Sequence, residues 1–319
     1  MIEIPVEEPI RLARQGSWPV SVHLFDEASA DAVVAAYYAR RPLLVRGEPG
    51  TGKSQLARAA AQVLERAFLS TVIHARSEAQ DLQWEFDAVG RLGEAQTLGV
   101  AKDKCVDVRD QLNPLRYLQP GPLWWAFDWA GARKHCEDWK VAATVPDVPK
   151  DWTPDKGCVL LIDEIDKAEA DLPNGLLEAL GNGSFQVPYL NAEIGLGKDM
   201  PPPLVIVTTN EDRELPAAFL RRCLVLKMKL PEDDADLIDC LVKRGGEHFG
   251  DDCDEVIRTT AAEMLVTHRN KPQRPRPGQA EYLDMLRALA LAHPGNAAAQ
   301  GEMLDRIHPF ALDKAAPAD

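Results

Sequence analysis

Paired cysteines, long apolar runs and an excess of basic side chains are all missing from this chain. Its six cysteines (Cys105, Cys136, Cys158, Cys223, Cys240 and Cys253) are scattered with no CxxC pair, which excludes a disulfide scaffold and a zinc ribbon and leaves reduced structural thiols. The seven histidines are equally dispersed, and the adjacent His135 and Cys136 have no second pair to complete a metal site. No stretch approaches the roughly 18 apolar residues of a membrane span, and the opening MIEIPVEEPI has no basic segment leading into an apolar one. Both absences point to a cytoplasmic protein with no membrane insertion. Lysine and arginine number 36 against 50 aspartates and glutamates, a formal charge of −14, so a surface devoted to nucleic-acid phosphates is not expected.

What is present suits a folded chain: 45% hydrophobic and 27% charged residues over 319 positions, long enough for two domains. Asp31 to Arg40 reads as a helix leading into the apolar run Leu43–Val45. Beyond the glycine-rich turn that follows, Leu56, Ala59, Ala60, Val63, Leu64, Ala67 and Phe68 recur at helical spacing. A further strand is expected near Thr71–His74. Cys158–Ile162 and Leu204–Val207 are continuous apolar runs, as strands buried on both faces of a parallel sheet require, and Leu224–Leu226 supplies another. Strands alternating with helical stretches imply βαβ units whose loops gather at one sheet edge. Residues 97–156 hold five of the seven tryptophans and read as an insertion. Past Pro231 three amphipathic faces, at Leu237–Leu241, Val256–Leu265 and Tyr282–Ala290, read as helices. The expected division is an α/β domain over residues 1–230 and a helical domain over 231–319.

Between a strand and a helix lies Gly47-Glu48-Pro49-Gly50-Thr51-Gly52-Lys53-Ser54, the Walker A pattern in the context it needs. Glycines let backbone N–H groups curl around phosphate oxygens at the positive end of a helix. Lys53 then neutralises the β and γ phosphates, and Ser54 offers a hydroxyl to Mg²⁺. That ion shares its remaining positions with water, phosphate and a carboxylate. The strand Val159-Leu160-Leu161-Ile162 ends in Asp163-Glu164, a Walker B arrangement: Asp163 for the magnesium shell and Glu164 to orient the attacking water. The plainer alternative is two acids capping the next helix.

Through GEPGTGKS, CVLLIDEIDKA, PPPLVIVTTNEDRELPAAFLRRC and PGPLWWAF the chain resembles the AAA+ ATPases, and within them the MoxR-like group, over about residues 20–290. The resemblance implies a P-loop NTPase fold: a parallel five-stranded sheet with flanking helices, followed by a small all-α lid domain. The strand carrying sensor 1 is then expected between the two Walker strands, making Asn210 sensor 1. It implies an arginine reaching the neighbouring subunit's γ phosphate, with Arg222 first and Arg221 second. It implies a lid arginine contacting the nucleotide, Arg276, with Arg274 as rival; prolines at 275 and 277 bracket it. The cofactors implied are ATP and Mg²⁺. The expected assembly is a homo-oligomeric ring, a hexamer, that couples hydrolysis to chaperone-like remodelling of a protein partner. A nucleotide-controlled scaffold with slow turnover is the alternative, and a DNA-directed motor ranks lower.

Two segments suggest partner contacts. Gly183–Tyr189 alternates apolar and polar residues like an exposed hairpin, which Pro188 keeps off a central sheet position; core packing competes with a role near a ring pore. The aromatic stripe of Trp124, Trp125, Phe127 and Trp129 reads first as core; because two adjacent tryptophans point in different directions on a helix, the alternative is that one of them faces a partner or a subunit interface.

Overall fold

The computed structural model describes residues 2–100, 108–197, 200–271 and 276–313. Its first elements form a hairpin that no expectation covered: β1 (Pro9–Leu12) pairs antiparallel with β2 (Ser21–Leu24). The helix Glu27–Ala39 follows, its start satisfied by a reciprocal pair in which Ser29 N donates to Asp26 Oδ1 at 2.8 Å and Asp26 N to Ser29 Oγ at 3.0 Å.

The remaining strands are β3 (Leu43–Arg46), β4 (Ala67–Val72), β5 (Trp84–Phe86), β6 (Leu118–Pro120), β7 (Cys158–Asp163), β8 (Ser184–Val187), β9 (Ala192–Gly195), β10 (Leu204–Thr209) and β11 (Leu224–Lys227). Five of them make a parallel sheet in the order β11-β3-β10-β7-β4, so β10 lies between β3 and β7 as expected. In register, Val207 of β10 stands beside Ile162 of β7, and Thr71 and Val72 of β4 beside Ile162 and Asp163. The first five residues of β7 and all six of β10 are buried. Helices cover both faces of such a sheet, and each Val, Leu or Ile so buried contributes about 1.5–3 kcal/mol.

One boundary differs from expectation. The helix Lys53–Val63 stops early, and the strand assigned to Thr71–His74 begins at Ala67 and ends at Val72. Glu65 in the left-handed region (φ +52°) turns the chain between them, so Ala67 and Phe68 continue the helical spacing by coincidence.

The chain forms two compact units. One comprises Met1–Ile4, Asp31–Val45 and Ala57–Val225; the other Pro5–Ala30, Arg46–Leu56 and Leu226–Asp319. In the first, the tryptophan-rich segment is core. Trp124, Trp125, Phe127 and Trp129, on helices Pro122–Phe127 and Trp129–Trp139, are all buried beneath the sheet. Trp129 sits edge-on to both Trp125 and Trp152, at 5.1 and 4.6 Å between ring centroids. Neither Trp124 nor Trp125 is exposed in this unit, in keeping with the core reading: every residue of the six-residue helix after Pro122 is buried. The hairpin is present as antiparallel β8 and β9. Its inward face (Phe185, Val187, Ile194) joins the core while Tyr189 stays partly exposed, stacked on Phe86 at 4.1 Å.

Among the described residues of the second unit, the C-terminal part holds four helices: Asp234–Phe249, Glu255–Arg269, Gln279–Ala292 and Ala297–Leu312. The last was not anticipated, because Gly301 and Pro309 interrupt its pattern; Leu304 and Leu312 nevertheless anchor it in the core formed by the other three. Among the described residues no helix is long and apolar enough to cross a membrane.

Candidate functional site

The site residues fall in both units, and each group is built differently. In the second unit, β3 runs into a loop whose three glycines all have positive φ: Gly47 (155°), Gly50 (78°) and Gly52 (94°). L-residues rarely adopt such angles. At two of the three the space is closed as well: a Cβ on Gly47 would lie 2.2 Å from the Met228 carbonyl oxygen, and one on Gly50 would lie 2.7 Å from Ala280 Cβ. The loop is therefore curled tightly, and Ala280, in the first turn of the helix Gln279–Ala292, abuts it. Thr51 Oγ1 donates to the Glu48 carbonyl at 3.0 Å. Lys53 is 6% exposed, its ammonium donating to the carbonyls of Gly47 at 2.7 Å and Glu48 at 2.9 Å. A buried ammonium needs such partners, and these hold it over the curl. Lys53 opens the helix Lys53–Val63, and Ser54 is its second residue.

In the first unit the functional groups sit at the ends of β7 and β10. Asp163 is the last residue of β7, and Glu164 follows in a left-handed conformation (φ 59°, ψ 48°) that costs a non-glycine residue strain. Thr208, fully buried on β10, explains how that turn is held. Its hydroxyl donates to Asp163 Oδ1 while accepting the Glu164 N–H at 2.9 Å, so one side chain fixes both acids. Asn210 Nδ2 donates to Glu164 Oε1 at 3.2 Å. The other carboxylate oxygen, Oε2, accepts from the Lys167 ammonium, and that bond raises the Lys167 pKa. Asp166, 2% exposed, accepts the Asp212 N–H at 2.9 Å and so pins the loop that follows Asn210.

Arg221 and Arg222 end the helix Ala217–Arg222 with exposed side chains. Arg41 steadies that end: its guanidinium donates to the Arg222 carbonyl from Nε at 3.0 Å and to the Arg221 carbonyl from Nη2. In the second unit Arg276 is exposed, and Arg274 lies outside the described residues. Among the described residues Arg269 meets the glycine loop, its Nη2 lying 2.5 Å from Glu48 Oε2.

In the first unit Asn210 thus meets Glu164 directly, while Asp163 and Glu164 are joined through Thr208, a residue not singled out from the sequence. Its signal was the register: Thr208 follows Val207, the neighbour of Ile162, and so stands beside Asp163. Ser54 and Asp163 are hydroxyl and carboxylate donors, the hard oxygens that Mg²⁺ takes alongside phosphate and water. Among the described residues no group of three or more His, Cys, Asp or Glu is placed to cage a metal, and an ion sharing its shell with phosphate needs no such cage. The buried thiols do not enter the site: burial raises the pKa of Cys158 to about 12 and that of Cys223 to about 11.

A family model described as an AAA domain of the dynein-related subfamily matches residues 42–223. Among solved structures the chain is similar to a proline-to-glycine mutant of Thermotoga maritima RuvB at 14% identity, covering 88% of this chain and 69% of that one, with a TM-score of 0.47. It is also similar to a threonine-to-valine mutant of the same protein at 14% identity, covering 88% and 67%, with a TM-score of 0.43. No curated protein sequence matches it.

Proposed function

The chain belongs to the AAA domain family, dynein-related subfamily, whose general activity is ATP hydrolysis, and on that premise we propose that it works as a subunit of a ring that cleaves ATP between neighbours to remodel a protein partner. Within this reading residues 1–230 form the nucleotide-binding domain and 231–319 the lid, in a cytoplasmic homo-oligomer of MoxR-like type. The Gly47–Ser54 loop takes the triphosphate on its backbone N–H groups, with Lys53 on the β and γ phosphates. Ser54 and Asp163 would hold Mg²⁺, which would supply positive charge to offset that of the phosphates. Glu164 orients the attacking water, and Asn210 holds Glu164. Arg222, with Arg221 as second choice, reaches into the neighbouring subunit's site to offset charge on the departing phosphoryl group.

The observation that supports this best is the end of β10 beside β7. Asn210 donates to Glu164 at 3.2 Å, and Thr208 holds the backbone N–H of the same residue. Two acids serving only as a helix cap would not need Asn210, Lys167 and the Thr208 hydroxyl as separate donors to their carboxylates.

A second reading, a nucleotide-controlled scaffold with slow turnover, is favoured by one feature. Both oxygens of the Glu164 carboxylate are engaged, one by Asn210 and one by the Lys167 ammonium, so part of its acceptor capacity and of its charge is taken up before a water arrives, which would slow its action on that water. The formal charge of −14 disfavours a DNA-directed motor.

Mixing Arg222→Ala subunits with Lys53→Ala subunits tests the shared site. Arg222→Ala alone should lose about 10³- to 10⁵-fold in turnover, Lys53→Ala alone should be inactive for want of bound nucleotide, and the mixture should regain part of the activity by pairing an intact loop with an intact arginine. A mixture as inactive as its parts would remove the trans arginine, and Arg222→Ala with wild-type turnover would remove Arg222 altogether.

A further inference from the structure

The geometry points to Arg269 as a positioning residue of the phosphate loop, one that cancels the charge of Glu48 and ties that loop to the entry of the helix Gln279–Ala292. The inference rests on reading Gly47–Ser54 as the phosphate site. A loop that is to hold a triphosphate carries a carboxylate at its second position, and an uncompensated negative charge there opposes the ligand. Arg269 removes the opposition. It is the last residue of the helix Glu255–Arg269, where the carbonyl end of the helix favours a cation, and its side chain is only 14% exposed against 49% for Glu48.

The planar guanidinium makes two bonds in different directions. Nη2 reaches Glu48 Oε2 at 2.5 Å, and Nη1 donates to the Pro277 carbonyl at 3.0 Å, one residue before the N-cap Gly278. A lysine has no such fork. The helix that Pro277 leads into presses Ala280 against Gly50, the contact that forbids a Cβ at Gly50. One side chain therefore sets both the charge of the loop and the approach of the helix against it. The two partners are 221 residues apart, and neither belongs to a motif that pairs them.

Calorimetric titration of the full chain with MgADP tests the idea without turnover. Arg269→Ala should weaken binding about tenfold by exposing the loop to Glu48's charge, whereas Glu48→Gln should tighten it about threefold by leaving Arg269 uncompensated beside the phosphates. The double variant should return to within about twofold of wild type, and Arg269→Lys should fall between wild type and Arg269→Ala. If Glu48→Gln weakens binding as Arg269→Ala does, or the double variant shows both losses summed, the pair is a structural tie alone and the inference is wrong. Thermal unfolding without nucleotide checks each variant's fold; should Arg269→Ala not fold, the direction of the Glu48→Gln change decides by itself. Wild-type protein that takes up no MgADP would overturn the phosphate-site reading as well, while wild-type uptake with the wrong order of variants overturns only the role of Arg269.

Discussion

The unit carrying the Gly47–Ser54 loop and the unit carrying the two acids are built by opposite routes. In the first case the groups proposed to meet the ligand are backbone: three positive-φ glycines curl the chain, and side chains hold that curl, with Lys53 over it and Arg269 beside it. In the second the groups are carboxylates at a strand end, and a buried hydroxyl on the neighbouring strand orders them. A backbone site is damaged by adding atoms, as at Gly47 and Gly50, whereas a side-chain site is damaged by removing a single hydrogen bond. Binding should therefore follow the loop and turnover the strand ends.

The sharpest way to break that contrast is Thr208→Val, which keeps the shape and deletes the hydroxyl. It leaves the Glu164 N–H and Asp163 without their shared partner, a loss of about 1–3 kcal/mol in stability, and it frees the left-handed turn to relax. Turnover should fall about 10- to 100-fold as the acids move by a fraction of an ångström, while nucleotide affinity stays near wild type. Steady-state kinetics beside a binding titration reads both, and an equal fall in affinity would mean that the two sites are not built independently.

A smaller effect separates the units by acidity. His23 lies on β2, 7% exposed, with its Nε2 unpartnered among the described residues; burial and then Arg244 push its pKa down to about 3. His248 is held at about 4, by burial and then Arg287. Both rings stay neutral when folded but take up a proton near pH 6.5 when unfolded, so the unfolded state binds more protons below that pH and stability falls as pH falls. His23 alone should cost roughly 2 kcal/mol between pH 7 and pH 5. Unfolding followed over that range should show the loss, and His23→Gln should flatten it. A profile unchanged by the substitution would place the acid sensitivity elsewhere.

Contiguity decides what was legible in the sequence. Gly47–Ser54 and Asp163-Glu164 are single runs whose chemistry and flanking elements are read together, and the sheet order followed from the family they resemble. Thr208 was legible only through register, since its role depends on which residue of β7 lies beside it. The contact of Arg269 with Glu48 had no local signal at all, because it forms between segments far apart in the chain. The tryptophans were legible as core without their surroundings being legible: adjacency on a helix shows that two side chains diverge, and only the fold shows that both directions lead into core. Likewise the fourth C-terminal helix is held by its partners' apolar faces in spite of Gly301 and Pro309.

The central claim is that the curled loop grips a magnesium-bound triphosphate. Isothermal titration of the folded chain with MgATP, beside Lys53→Ala, tests it most directly. The account predicts saturable uptake of one nucleotide per chain that Lys53→Ala abolishes or weakens severely. A wild-type chain that is folded and yields no binding heat at any temperature tried, or a Lys53→Ala chain that binds as tightly as wild type, would contradict it.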